Sequence, residues 1–151
     1  MKQPLSRRHL MRFVAGLGLV AGTTGYVGLT GIQYQHRRIR RWVLAFDGNQ
    51  VRDDATAMLQ TAIDDARSRP DQPIRVIGHT GTVGALDAKR TQSERRAEAV
   101  RDLLVQAGID DRRIDVAALS DQAPLPQQEG ESRRAYERRL QRVEVLIGSG
   151  R

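Results

Sequence analysis

The sequence predicts an α+β fold, a two-layer sandwich with elements in the order β-α-β-α-β-(α)-β over residues 42–151, preceded by one N-terminal transmembrane or signal helix within residues 1–41. Three observations carry this. Four short apolar or β-branched runs, at residues 42–46, 74–77, 114–119 and 142–147, have the length and flanking turn residues of strands. Two stretches between them repeat apolar side chains at the three-and-four spacing of one helical face. Ahead of all of these lies a run of 20 residues without a charge, 13–32, which at about 1.5 Å per residue matches a hydrocarbon core about 30 Å thick.

The segment 1–41 holds eight of the 25 basic residues (Lys2, Arg7, Arg8, Arg12, Arg37, Arg38, Arg40 and Arg41) and none of the 18 acidic ones. The formal charge of +7 therefore belongs to the head, because residues 42–151 carry 17 basic and 18 acidic side chains. A basic head on a neutral body argues against nucleic acid as a partner and fits a membrane-targeting segment, whose arginines stay at the headgroup layer. Ser6-Arg7-Arg8-His9-Leu10-Met11-Arg12 resembles the twin-arginine export signature. The uncharged run behind it is rich in Gly and Thr, and so weakly hydrophobic, as such signals are. The alternative is an uncleaved signal anchor whose paired arginines are only positive-inside charges. Both place residues 42–151 in the periplasm, and a retained segment tethers them to the inner membrane. The run has no Asp or Glu, the carrier group a proton-driven transmembrane helix needs.

Trp42 to Phe46 is short and apolar enough for a buried strand, ended by the turn cluster Asp47-Gly48-Asn49. Asp53 is placed to cap a helix whose face is Ala55, Met58, Leu59, Ala62, Ile63 and Ala66, stopped by Pro70. A second strand at 74–77 runs into the loop Gly78-His79-Thr80-Gly81-Thr82-Val83-Gly84. The next helix buries Ala97, Val100, Leu103, Leu104 and Ala107, and Gly108 closes it with a left-handed cap. Strands at 114–119 and 142–147 follow, separated by a Pro- and Gln-rich loop and a charged helical turn. One face of such a sheet is covered by helices and the other is more open.

Several chemistries lack their residues. GHTGTVG is neither GxGxxG nor GxxxxGK[ST], so a nucleotide cofactor has no cradle. His79 is the body's single histidine and is expected to be a half-buried residue shaping the loop; it supports neither a multi-histidine metal site nor a Ser-His-Asp set. The absence of cysteine removes disulfides, thiolate metal sites and a lipidated cysteine together. The expectation is a non-enzymatic protein with no cofactor and no metal.

Four fragments in order carry a family likeness: Gly78-His79-Thr80-Gly81 with Gly84; Ser93-Glu94-Arg95-Arg96-Ala97-Glu98-Ala99-Val100; Gly108-Ile109; and Arg142-Val143-Glu144-Val145. Together they resemble the OmpA-like peptidoglycan-associating domain, whose corresponding motifs are Gly-His-Thr-Asp, Leu-Ser-x-x-Arg-Ala-x-x-Val, Gly-Ile and Arg-Arg-Val-Glu. The resemblance implies a cell-envelope protein that holds the peptide stem of peptidoglycan at a zwitterionic diaminopimelate end, through Thr80, Gly81, Arg96 and Arg142. Arg96 would take the carboxylate, since a guanidinium fork matches it in geometry and charge. The ammonium partner in the family is an Asp, and here that position is Gly81, a loss of about 1.5–3 kcal/mol for one charged hydrogen bond. Asp87 or Asp121 is the neighbouring carboxylate expected to replace it. Lys89, the pair Leu140-Gln141, and Ala118-Leu119-Ser120-Asp121 also depart from the family's Asn, Asn-Arg and Gly-x-Gly-Glu. The resemblance thus leaves two readings: a domain that binds peptidoglycan, or a scaffold of the same fold that binds protein partners in an envelope or secretion assembly.

Overall fold

The computed structural model of the chain describes residues 39–148. The expected N-terminal signal or membrane helix lies outside the described residues, and among these no helix is long and apolar enough to cross a membrane.

The elements are β1 (Arg40–Asp47), β2 (Gln50–Val51), α1 (Thr56–Ser68), β3 (Ile74–His79), α2 (Leu86–Gln106), β4 (Ile114–Ser120), α3 (Arg133–Leu140) and β5 (Arg142–Ile147). They form a single five-stranded sheet of order β2-β1-β5-β3-β4. β5 is central and antiparallel to both β1 and β3, whereas β3 and β4 run parallel with α2 as their crossover. The α+β class is the one the sequence predicts, and the order of elements matches it apart from the added edge strand β2.

Alternation along the strands decides which face is buried. Leu44, Phe46, Val76, Val143, Val145 and Ile147 point to one face, against Leu59, Ile63 and Ala66 of α1 and Ala97, Val100 and Leu104 of α2. Each fully buried Leu, Ile or Val there contributes about 1.5–3 kcal/mol, so this layer holds the fold together. Gly78 marks the tightest approach within it. A Cβ on Gly78 would lie 2.7 Å from the carbonyl carbon of Ser93 and 3.2 Å from its Cα, and nearer still to its carbonyl oxygen. Only glycine lets β3 pass so close to α2, which brings Arg96, one turn beyond Ser93, to the end of the strand.

Several boundaries differ from expectation for identifiable reasons. β1 starts at Arg40 instead of Trp42, because Arg41 pairs with Leu146 in the ladder and its guanidinium reaches Glu144. The turn cluster at 47–49 closes a hairpin onto the two-residue edge strand β2, too short to show periodicity. Asp53 does not cap α1: a 3₁₀ turn, Asp53–Ala55, comes first, and no side chain caps the helix at Ala55. The charged turn is a two-turn helix, α3, whose Ser132 hydroxyl accepts from the amide of Ala135. Gly108 has φ +87° and its amide is bonded to the Val105 carbonyl, as a left-handed cap requires.

Candidate functional site

Arg96 organises the end of the sheet where the hairpin, the β3–α2 loop and α3 meet. Its side chain is fully buried. Nε donates to the Gly48 carbonyl at 2.8 Å, one terminal nitrogen to the His79 carbonyl at 3.0 Å, and the other to Oε1 of Gln141 at 2.7 Å. The Phe46 ring lies 5.9 Å from the guanidinium carbon, at the outer reach of a cation–π contact. All three acceptors are neutral. Among the described residues no carboxylate is in ion-pair contact with Arg96, and Asp47 acts on it only from a distance. Burial pushes its pKa down to about 10 despite that carboxylate, which leaves the group charged at neutral pH. A buried cation with neutral acceptors is hydrogen-bonded but not neutralised.

The loop after β3 is fixed in two places. The Thr80 amide donates to the Ser120 carbonyl at 2.9 Å, and the buried Thr80 hydroxyl lies 3.5 Å from that of Ser120. Beyond it, the carboxylate of Glu137, from α3, lies directly over Gly81. A Cβ at Gly81 would sit 3.4 Å from Glu137 Cδ and closer still to Oε2. That carboxylate accepts from the Thr82 amide at 2.8 Å and from the Thr82 hydroxyl. Asp121, in contrast, is ion-paired with Lys89, and this hydrogen bond holds its carboxyl below the usual range.

Two clefts flank Arg96. A cleft of about 500 Å³ is lined by Asn49, Val83, Gly84, Asp87, Lys89, Gln92 and Arg95. A larger one of about 780 Å³ lies between β1 and α3, and Phe46 and Gln141, which both touch Arg96, form part of its wall. Among the described residues no group of three His, Asp or Glu side chains is placed to hold a metal ion.

The comparisons with known proteins decide the family. The model described as the OmpA family matches residues 44–138. The chain belongs to the OmpA family. Outer membrane porin F of Pseudomonas aeruginosa is 31% identical over 97 residues, a stretch covering 64% of this chain and 28% of the porin; the chain thus spans under a third of that relative. Among solved structures, the peptidoglycan-associated lipoprotein from Burkholderia pseudomallei superposes with a TM-score of 0.60 at 24% identity, covering 70% of this chain and 88% of that one. The C-terminal domain of Helicobacter pylori MotB gives 0.56 at 17% identity, covering 71% and 84%. These likenesses show the fold.

Within this OmpA-family domain, the four residues singled out from the sequence do not form one cluster of exposed polar groups. Arg96 and Gly81 border the same corner, linked by the His79 carbonyl and by α3. Thr80 turns its hydroxyl toward β4. Arg142 is buried on the opposite face of the sheet, where Nε meets Glu144 Oε1 at 2.9 Å and the terminal nitrogens reach the carbonyls of Leu140 and Ala123. Arg41 meets the same Glu144 oxygen at 2.7 Å. Two arginines thus outweigh the effect of burial and hold the Glu144 carboxyl below its ordinary value. His79 is nearly fully buried, not half-buried: its Nε2 lies 3.5 Å from Glu144, and among the described residues neither ring nitrogen has a hydrogen-bond partner. Burial first, then the Arg142 charge, pushes its pKa down to about 4. The sequence reading missed Glu137, which α3 brings to the loop, and the contact with Arg96 made by Gln141, just past the end of α3.

Proposed function

We propose that this domain associates non-covalently with the peptide stem of peptidoglycan in the periplasm, with Arg96 as the partner of a ligand carboxylate. The observation that carries the reading is the state of Arg96: a buried guanidinium whose bonds all go to neutral oxygens. An incoming carboxylate would supply the missing counter-charge. Gln141 is the single side-chain acceptor of the three and lines the larger cleft, so its amide oxygen marks where that carboxylate would bind. Family membership supports the same reading, as does the shared fold with a lipoprotein described as peptidoglycan-associated. Residues 1–41, read as a twin-arginine-like signal or anchor, would deliver the domain to the periplasm and, if retained, hold it to the inner membrane.

A second reading is favoured by the complete enclosure of Arg96. If the Gln141 amide is a permanent cap, the domain is a scaffold that binds protein partners in an envelope assembly. Sedimentation of the full chain with purified sacculi separates the two. Wild type is expected in the pellet, and Arg96→Met, verified as folded by circular dichroism, in the supernatant. Equal behaviour of both proteins, bound or unbound, would refute the peptidoglycan reading through Arg96 in favour of the scaffold.

A further inference from the structure

The helix α3 carries four arginines, Arg133, Arg134, Arg138 and Arg139. Arg139 is matched, since its Nε and one terminal nitrogen each meet Glu131 at 2.8 Å. The other three are exposed, and among the described residues they are in ion-pair contact with no carboxylate. Helix stability does not account for them. Arg133 and Arg134 stand in the first turn, which holds no acidic residue, and there the positive end of the helix dipole disfavours cations. Arg134 and Arg138 share a helical face at four-residue spacing, where like charges repel. Residues 42–151 hold 17 basic and 18 acidic side chains, so this concentration of positive charge is local to α3.

Arg138 also lines the cleft of about 780 Å³ between β1 and α3. The apolar wall of that cleft is made by Val43, Ala45, Phe46, Leu125 and Ala135, and Val43 is 41% exposed. The other arginines of the cleft already have partners: Glu131 for Arg139, Glu144 at 2.9 Å for Arg142, and Asp54 at 2.5 Å for Arg52. Asp47, also in the wall, acts on Arg96. A concave apolar wall therefore adjoins a helix face whose positive charge is unmatched among the described residues. Each half alone suits several anions, but the combination narrows the choice. A lipid surface would meet the arginines and leave the concave wall unfilled, and a wall polymer offers carboxylates without a large apolar group. A protein segment supplies both an apolar anchor for the pocket and carboxylates around it.

We infer that the cleft between β1 and α3 is a docking groove for an acidic segment of a partner protein. An apolar side chain of that segment enters against Val43, Leu125 and Ala135, and its carboxylates meet Arg134 and Arg138. The inference does not rest on the role of Arg96: it gives the domain a surface for a protein partner whether or not the domain also holds peptidoglycan.

The test begins with a phage-displayed library of random peptides selected on the immobilised full chain. Enriched sequences are expected to set an apolar residue among Asp and Glu. A synthetic peptide of that sequence is expected to bind in fluorescence anisotropy, more weakly as salt is raised. Arg134→Ala combined with Arg138→Ala is expected to bind it about tenfold more weakly. Arg90→Ala combined with Arg112→Ala, an equal loss of exposed charge elsewhere, is expected to bind as wild type does. Ala135→Glu separates docking from folding. The Ser132 hydroxyl already accepts from the Ala135 amide, so a carboxyl three residues after Ser132 completes a capping box and Tm is expected to hold. That carboxylate also enters the cleft and repels those of the peptide, so binding is expected to fall about tenfold or more. In sedimentation with sacculi, Arg134→Ala combined with Arg138→Ala is expected to behave as wild type. Selection without acidic sequences, undiminished peptide binding by that variant or by Ala135→Glu, or an equal loss in the Arg90 and Arg112 control would overturn the inference. So would loss of sacculus sedimentation on removing Arg134 and Arg138, which would assign these charges to the wall polymer. Binding of wild type to phosphatidylglycerol vesicles with the same dependence on the two arginines would overturn it in favour of lipid.

Discussion

Replacing Gly78 by alanine tests how the site is positioned. The added Cβ would lie 2.7 Å from the Ser93 carbonyl carbon and 3.2 Å from its Cα, whereas carbon atoms rest about 3.5–4.0 Å apart. Both partners are backbone, so no side chain can rotate away. β3 and α2 must separate by on the order of 1 Å, a gap that forfeits a quarter to a half of each dispersion contact across the interface, about 0.05 kcal/mol per atom pair. With roughly 60 pairs between β3 and the buried Ser93, Ala97 and Val100, the cost is about 3 kcal/mol, at the upper end of overpacking penalties. For a domain of this size that lowers Tm by about 12 °C.

The control is Gly108→Ala. There φ is +87° and no atom lies near the added carbon, so only backbone conformation is penalised, by about 1 kcal/mol, or about 4 °C. Thermal unfolding followed by far-ultraviolet circular dichroism reads both. If Gly78→Ala melts within about 2 °C of wild type, or above Gly108→Ala, then strand and helix do not approach as described, and the bond from Arg96 to the His79 carbonyl loses its explanation.

Two further predictions follow from the same corner. Ser120 has φ +54°, a left-handed conformation that costs a non-glycine residue about 1–2 kcal/mol, so Ser120→Gly is expected to raise Tm by a few degrees, and a fall in Tm would show that its contact with Thr80 matters more. For His79, the unfolded chain takes up a proton near pH 6.5 while the folded chain does so only near pH 4. The unfolded state therefore binds more protons across that window, and stability falls by up to about 3 kcal/mol as pH drops through it. Urea midpoints between pH 7 and 4.5 should show that slope in wild type and a flatter one in His79→Leu; parallel slopes would refute the assignment. From the acid end of the window downward the depressed Glu144 carboxyl adds its own loss, since its contribution is present above the unfolded carboxyl pKa and disappears as pH falls through the folded value.

The sheet was legible in the sequence because its signals are local. The short apolar runs and the three-and-four stripes give strands and helices whose core residues, such as Leu44, Val100 and Val145, are where the pattern puts them. Gly108 was legible because a left-handed cap is a one-residue requirement. The site was not legible in the same way. Gly81 reads as a missing acid because the group that fills its place comes from 56 positions later, and no periodicity links the two. Arg41 reads as part of a basic flank, and only the pairing of β1 with β5 reveals that its charge is matched by Glu144. Arg142 likewise matches a family motif, yet strand alternation turns it to the face opposite the helices, where it neutralises Glu144.

That division separates two arginines which composition treats alike. Arg142 is buried beside a carboxylate and accounts for itself: removing it would strand Glu144 in the interior. Arg96 is buried as deeply with no such partner among the described residues, and burial works against its charge. The carbonyls of Gly48 and His79 need donors, but neutral donors would meet that need without desolvating a cation. Stability therefore explains the hydrogen bonds of Arg96 and leaves its charge unexplained. An anion from outside the chain, as in the proposed function, would resolve the remainder.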